Sequence, residues 1–420
     1  MSRPDDIRLR DLARPEHSAH AKTILRAIDE LPFELSRTAI VEAARAECDV
    51  PLYEEAGLFD RMDEYLEAVE ADVGLARMGR FGIYNSLKRY LIQRSRLEAL
   101  YREHPEIDDV EIDRPLIIAG LPRSGTTHLL NLIGTDTRLR SLSWWESQQP
   151  IPSVRARAGE VPDDRRANEE LALGQRHLML PLFRSMYDVG NDDIHEEVDL
   201  QHLNLSTLLM ASTAHVTDWM RRYFERDQRP HYAFLKRTLK ALQWLSPRDR
   251  WVLKSPQHLA FIPALTETFQ DATIVVTHRD PVSVFASWIT MICYAERMLR
   301  DPIRLDESVA HAGALQRHLL DGLVRDRAAL PEGRTEHVYF HDFMADDLGT
   351  LERIYDRAGL DWTGGTAESM RNYIETHPRG RHGRMIYDLK GDFGIDPEGV
   401  YDSFEAYMRV FPVEREGTNR

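Results

Sequence analysis

The sequence has few cysteines and lacks both a long apolar run and a surplus of positive charge. Only two cysteines occur, Cys48 and Cys293, and their wide separation fits neither a disulfide framework nor the spacing of a zinc site. No apolar run approaches the ~20 residues that a membrane-spanning helix needs. The N-terminus alternates charged residues where a signal peptide would be apolar. These absences predict a cytoplasmic protein with buried thiols and no transmembrane segment.

The overall charge argues against one large class of partner. The chain carries 54 Lys and Arg against 69 Asp and Glu, a formal net charge of −15. A nucleic-acid or heparin-like partner would need a broad cationic surface, so we expect no nucleic-acid binding. A local basic pocket remains compatible with this balance.

The first part of the chain, residues 1–112, has the pattern of a helical region. Leu87, Leu91, Leu97 and Leu100 recur at helical spacings with basic residues between them. The pattern changes at Arg114-Pro115. We therefore predict a helical N-terminal region followed by a second unit over residues 113–420.

Residues 113–420 predict an α/β domain. Four short apolar runs are each followed by a helical pattern, which is typical of buried parallel strands in a sheet with helices on both faces. Residues from about 150 to 246 are mostly helical in pattern, and we interpret them as a helical cap inserted over a P-loop-type sheet. The four runs are Leu116–Ala119, Trp251–Leu253, Thr273–Val276 and His337–Tyr339.

A glycine-containing loop, Gly120 to Thr127, follows the first of these runs. Backbone N–H groups at such a strand-to-helix turn, together with the helix dipole, create an anion site. The spacing is that of a Walker A loop, yet Thr126 stands where that motif has its phosphate-binding lysine. The main feature of a nucleotide kinase is therefore missing.

Two further sites follow strands of the same predicted sheet. Lys254 comes directly after Trp251–Leu253, where a nucleotidase would place an acidic magnesium ligand, so we expect no metal. Arg279 follows the strand beginning at Thr273, and Ser287 comes eight residues later. A guanidinium and a hydroxyl placed in this way can bind a second phosphate of the same donor.

These elements together, over about residues 114–410, resemble the family of sulfotransferases that use 3′-phosphoadenosine-5′-phosphosulfate (PAPS). The resemblance is to its bacterial branch, which shares a Pro-Arg-Ser-Gly-Thr-Thr loop with the tyrosylprotein-type enzymes. It implies transfer of a sulfuryl group, with adenosine 3′,5′-bisphosphate as product. It also implies roles for particular residues: the loop Pro122, Arg123, Ser124, Gly125, Thr126 and Thr127 holds the 5′-phosphosulfate, Arg279 and Ser287 bind the 3′-phosphate, Lys254 lies near the bridging oxygen, and Arg379, Gly380 and Arg381 form the late basic segment.

The catalytic base is left open among several residues. The hormone-sulfating relatives have a histidine two positions after the strand-end lysine, where this chain has Pro256. The tyrosylprotein-type enzymes use a glutamate just after the second strand, which makes Glu146 the first candidate. His195 and Glu196 in the inserted region are the next candidates. That cluster lacks the second histidine of a zinc helix, so it predicts no metal site.

The inserted region is rich in large apolar side chains, which favours a small, partly apolar acceptor with a hydroxyl group, or an amine in its place. Two alternatives stay open, a P-loop small-molecule kinase and a PAPS-binding protein without catalysis. The first would need the missing lysine and magnesium, and the second would have no use for Lys254 and Glu146. A homodimer is left open.

Overall fold

The computed structural model describes residues 6–378 and 380–416. Within the described residues, four α-helices and a short 3₁₀ helix (Pro105–Asp109) precede the central sheet, and the side chains of Ser18 and Ser36 cap the first two α-helices by accepting hydrogen bonds from backbone N–H groups. The longest of the four buries one face that includes Leu87, Leu91 and Leu97, as the spacing predicted. They are α1 (Ala19–Glu30), α2 (Arg37–Glu47), α3 (Ala56–Ala71) and α4 (Arg77–Glu103).

A parallel sheet lies at the centre, in the spatial order β3 (Leu139–Arg140), β6 (Arg250–Ser255), β2 (Leu116–Gly120), β7 (Thr273–His278) and β8 (Thr335–Tyr339). The four predicted strands are confirmed, each slightly longer than its apolar run, and the α/β fold class is confirmed with them. The strands of the chain are β1 (Asp6–Ile7), β2 (Leu116–Gly120), β3 (Leu139–Arg140), β4 (Leu142–Ser143), β5 (Ile194–His195), β6 (Arg250–Ser255), β7 (Thr273–His278), β8 (Thr335–Tyr339) and β9 (Arg384–Met385).

Helices cover both faces of this sheet. Successive side chains of β2 point to opposite faces, so Ile117 joins one apolar cluster and Ile118 another. The further helices are α5 (Thr126–Ile133), α6 (Trp144–Gln148), α7 (Val154–Arg157), α8 (Arg165–Met179), α9 (Phe183–Met186), α10 (Thr217–Glu225), α11 (Arg229–Leu245), α12 (Ile262–Thr268), α13 (Pro281–Glu296), α14 (Leu305–Asp326), α15 (Phe340–Ala345), α16 (Asp347–Ala358), α17 (Gly364–Thr376), α18 (Leu389–Phe393), α19 (Pro397–Ser403) and α20 (Glu405–Val410).

Two contacts of the inserted segment matter for the site. Strand β5 pairs antiparallel with β4, so that Leu142 lies opposite His195 and Ser143 opposite Ile194. A 3₁₀ helix, Glu197–Asn204, follows β5 and is buried along its whole length. This pairing places the predicted residues His195 and Glu196 beside the central sheet.

The N-terminal helices share a core with the sheet. Leu58 of α3 and Leu87 of α4 belong to the same apolar cluster as Ile117 and Ile274 of the sheet and Leu235 of α11. Burial of this shared surface holds the helices against the sheet. Within the described residues, no helix is both long and apolar enough to span a membrane.

Candidate active site

The conformation and packing of the loop after β2 restrict which residue types can occupy it. Gly125 adopts a left-handed conformation with φ of 90°. At Gly120, an added Cβ would lie 1.8 Å from Thr277 Oγ1, so no side chain fits there. The Ser124 hydroxyl donates to the carbonyl of Leu121 (2.7 Å) and meets Thr277 Oγ1 at 2.8 Å. These contacts hold the turn that leads into the first N–H groups of α5.

Arg123 joins this loop to the predicted second phosphate site. Its Nε donates to Ser287 Oγ (2.9 Å) and its Nη1 to the carbonyl of Met186 (2.5 Å). Arg279 Nη1 donates in turn to the carbonyl of Arg123 (2.6 Å). The structure thus brings together the three residues that the sequence placed on separate elements.

The guanidinium of Arg279 already has an anionic partner. Its Nε and Nη2 donate to the two carboxylate oxygens of Glu416 at 2.7 and 2.9 Å, and its Cζ lies 3.8 Å from the centroid of the Phe340 ring. The Glu416 N–H donates to Asp280 Oδ2 (2.7 Å), which anchors the C-terminal segment. Nothing in the sequence pattern pointed to Glu416, because it is 137 residues from its partner.

A cavity of about 300 Å³ opens beside the loop. Its walls come from the loop and α5, from the inserted segment and from the late basic segment. Arg123, Thr127, Tyr187, Asp188, Gly380 and Arg381 are among the lining residues. We call it the donor cavity. The late basic segment thus lies beside the loop that follows β2, while Arg379 falls outside the described residues.

Asp188 organises the basic residues of the donor cavity. It accepts from Arg381 Nε (2.5 Å), and His382 Nε2 and Arg184 Nη2 lie 3.0 and 3.3 Å from its carboxylate. Burial acts to raise the pKa of Asp188, but the hydrogen bond and charge of Arg381 outweigh it and hold the pKa below its usual value. The carboxylate therefore stays ionised and keeps these basic side chains in place.

Lys254 lies at the end of β6 and is paired with Glu196. Its side chain is 3% exposed, and its Nζ contacts Glu196 Oε1. Glu197 accepts from the backbone N–H of Lys254 (2.6 Å) and from His258 Nε2 (2.6 Å). The Tyr232 hydroxyl meets His258 Nδ1 at 2.8 Å. This buried network ties the inserted segment to the strand end and positions Glu196 against the lysine.

His195 is the centre of a second buried network. The Tyr187 hydroxyl lies 3.1 Å from His195 Nδ1, and His195 Nε2 lies 2.7 Å from Asp199 Oδ2. His202 Nδ1 lies 3.3 Å from the other oxygen of Asp199. Burial acts to raise the pKa of Asp199, but the hydrogen bonds from the two histidines prevail and hold it well below its usual value. Sequence reasoning missed Asp199, whose role depends on this tertiary pairing.

Glu146 lies in a different environment. Both of its carboxylate oxygens contact the guanidinium of Arg140, which in turn lies over the ring of Trp251 with Cζ 4.6 Å from the centroid. Glu146 and Arg140 line a separate cavity of about 370 Å³. The structure thus brings Glu196 to Lys254 and pairs Glu146 with an arginine.

No cluster of three or more histidine, cysteine, aspartate or glutamate side chains within residues 6–378 and 380–416 is arranged to hold a metal ion. The positive charges at this site are carried by arginine and lysine side chains, and the backbone N–H groups of the loop add partial positive charge. Such groups are suited to binding an anionic donor.

Comparison with known proteins identifies the family of this chain. Sulfotransferase STF9 from Mycobacterium avium is 26% identical, with a TM-score of 0.80 over 92% of this chain and 100% of its own. Sulfotransferase STF1 from Mycobacterium tuberculosis H37Rv is 25% identical, with a TM-score of 0.76 over 88% of this chain and 98% of its own. No curated protein sequence is significantly similar. Residues 115–364 match the model of the sulfotransferase family, more than half of the chain, and the chain therefore belongs to that family.

Proposed function

We propose that this enzyme transfers the sulfuryl group of PAPS to a hydroxyl group of a small, partly apolar acceptor and releases adenosine 3′,5′-bisphosphate. The observation that carries the proposal is the junction of Arg123, Arg279 and Ser287 beside a phosphate loop that has no lysine. A donor with phosphates at two separate positions matches this arrangement, because the loop N–H groups and the Arg279 guanidinium form distinct anion sites.

Lys254 and Glu196 supply the groups that transfer requires. The acceptor oxygen forms a bond to sulfur as the bond from sulfur to the bridging phosphate oxygen breaks, and the electron pair stays on that phosphate oxygen. In this proposal Lys254 stabilises the developing negative charge, and Glu196 takes the acceptor proton. The contact between Lys254 and Glu196 in the free protein supports these two roles, because it holds a base and a cation side by side at the carboxyl end of β6.

Glu196 is a better candidate for the base than Glu146, the first choice from the sequence. Both carboxylates are in ion pairs, but both oxygens of Glu146 are held by the Arg140 guanidinium, whereas the contact of Glu196 with Lys254 uses its Oε1. Removing a partner from a buried pair is costly, so this carboxylate is better suited to holding β3 and α6 together. We propose a structural role for Glu146.

The donor can be tested by calorimetric titration with adenosine 3′,5′-bisphosphate. We expect tight binding that Arg279→Ala weakens by about tenfold or more, since hydrogen bonds to charged groups contribute roughly 1.5–3 kcal/mol. Arg353→Ala is the matched control, because Arg353 is 54% exposed and pairs with Glu336 outside the donor cavity. Binding of magnesium-ATP alone would instead support the kinase alternative.

A further inference from the structure

The order of the central strands determines which end of a bound donor faces which side chain. Strands β6 and β7 lie on opposite sides of β2, so Lys254 and Arg279 lie on opposite sides of the loop that follows β2. In the proposed function the 3′-phosphate is at Arg279 and the 5′-phosphosulfate is on the loop. The sulfuryl group, which leaves the bridging oxygen beside Lys254, is therefore at the end of the donor that faces β6.

Tyr187 is fixed beside this loop by its own chain neighbour. The carbonyl of Met186, which precedes it, accepts a hydrogen bond from Arg123 Nη1 (2.5 Å). The Tyr187 side chain lines the donor cavity together with Arg123 and Thr127 of the loop. A ligand in this cavity can thus contact the phenol and the loop at the same time.

The hydroxyl of Tyr187 is also linked to the side of the site where Lys254 lies. It is 3.1 Å from His195 Nδ1, and Glu196, the next residue along the chain, contacts the Lys254 side chain. Burial raises the pKa of Tyr187 well above its usual value, and the nearby charge of Glu196 adds to this rise. The phenol is therefore close to both the loop and the Lys254–Glu196 pair, and it keeps its proton at neutral pH.

Two further residues hold the Tyr187 hydroxyl from behind. His195 Nε2 lies 2.7 Å from Asp199 Oδ2, and the ring of Trp144 packs edge-on against His195 with centroids 4.4 Å apart. When Nδ1 of His195 is protonated, it donates to the phenolic oxygen. When it is not, the phenolic proton can turn from Nδ1 to an anionic acceptor, which forms the stronger hydrogen bond. Tyr187 can therefore donate into the donor cavity in both protonation states of His195.

We infer that Tyr187 is a catalytic residue that recognises the sulfuryl group of the donor: its O–H donates to a sulfuryl oxygen, and His195 and Asp199 are the positioning residues that hold it there. The inference rests on the proposed function and assigns a residue to the part of PAPS that its product lacks. Sulfuryl oxygens only accept hydrogen bonds, so a protonated phenol complements Lys254 at the bridging oxygen. No bond to Tyr187 forms or breaks during the transfer.

PAPS and adenosine 3′,5′-bisphosphate differ only in the sulfuryl group, so a comparison of their binding isolates this contact. Calorimetric titration of the full-length protein with each ligand, without an acceptor, gives the two Kd values. Tyr187→Phe removes the hydroxyl and keeps the ring. We expect its Kd for PAPS to rise about tenfold or more, as on loss of a hydrogen bond to a charged group, while its Kd for the bisphosphate stays within about twofold. Tyr84→Phe is the matched control, because Tyr84 lies on α4 with its ring 5.7 Å from that of Phe33, and it should change neither Kd.

A second variant tests the positioning role of His195. His195→Leu removes the partner of the hydroxyl and should raise the Kd for PAPS about threefold or more, again with little change in the Kd for the bisphosphate. In a Tyr187→Phe background the same substitution should have no further effect on PAPS, because the hydroxyl that it positions is already absent. Bisphosphate binding reports that each variant folds, and His195→Leu gives the same comparison if Tyr187→Phe does not fold.

Separate outcomes would overturn the inference and the proposed function. Equal changes in the two Kd values of Tyr187→Phe, or no change in either, overturn Tyr187 as a contact of the sulfuryl group and leave the donor assignment standing. An undiminished effect of His195→Leu in the Tyr187→Phe background overturns the positioning role. Failure of the unmodified protein to bind the bisphosphate overturns the proposed function, and the inference with it.

Discussion

The ion pair between Arg279 and Glu416 leads to a quantitative expectation about donor binding. If Arg279 binds the 3′-phosphate, the Glu416 carboxylate must leave first, and the measured affinity is reduced by the free energy of that contact. The side chains are 21% and 14% exposed, and both carboxylate oxygens are used, so the pair is stronger than a surface ion pair of 0.2–1 kcal/mol. We take it as about 1–2 kcal/mol, which corresponds to a factor of about 5–30.

The perturbation is Glu416→Gln, which keeps the shape and the backbone contact to Asp280 but removes the charge. Calorimetric titration should give a Kd for adenosine 3′,5′-bisphosphate that is about 5–30 times lower than in the unmodified protein. Glu414→Gln is the matched control, because Glu414 is 78% exposed and lies 4.0 Å from His341. Its Kd should not change.

A double variant separates this cause from a general change of charge. In an Arg279→Ala background, Glu416→Gln should no longer improve binding, because the contact that it relieves is already absent. An unchanged or weaker affinity in the single variant, or an equal gain in both backgrounds, would refute the idea that Glu416 and the 3′-phosphate compete for Arg279.

Three further outcomes are expected. Lys254→Met should lower kcat by roughly 10²-fold or more while bisphosphate binding persists, and unchanged turnover would exclude a role in stabilising the leaving group. Glu196→Gln should lower kcat roughly 10²-fold and leave the Kd for the bisphosphate unchanged. Glu146→Gln should mainly lower the free energy of unfolding. The reverse result would favour Glu146 as the base. Burial lowers the pKa of His278 to about 3. Between pH 6.5 and 3, therefore, the unfolded chain binds a proton at this histidine and the folded protein does not. The free energy of unfolding then decreases as the pH decreases, by about 1.4 kcal/mol per pH unit. Between pH 6.5 and 5, the free energy of unfolding of His278→Asn, measured by urea unfolding, should therefore decrease by about 2 kcal/mol less than that of the unmodified protein. An equal decrease in the two proteins would contradict this account.

Much of the sheet, and the geometry of the proposed phosphate site, could be predicted from local patterns. A buried parallel strand appears as a short apolar run, and a phosphate turn appears as glycines between a strand and a helix. Arg279 and Ser287 follow from the same logic, because parallel strands end at one edge of a sheet and the next helix begins there. These features depend on residues close together in the chain.

The partners of the candidate bases could not be predicted in this way. Glu146 follows its strand at the position expected from the tyrosylprotein-type enzymes, yet the fold pairs it with Arg140. Glu196 reaches Lys254 because β5 pairs with β4, which joins residues 142–143 to residues 194–195. The register of a two-residue antiparallel pair leaves no pattern in the sequence.

By itself, the sequence determined the α/β class, the parallel strands, the loop without a kinase lysine, and the resemblance to PAPS-dependent enzymes. Only the tertiary structure decided that Glu196 contacts Lys254, that Glu416 pairs with Arg279, and that α4 of the N-terminal region lines a cavity together with Asp199 and His202. The physical reason is one of range. Strand and turn preferences act between neighbours in the chain, whereas ion pairs and cavities depend on the packing of surfaces that the chain brings together from distant segments.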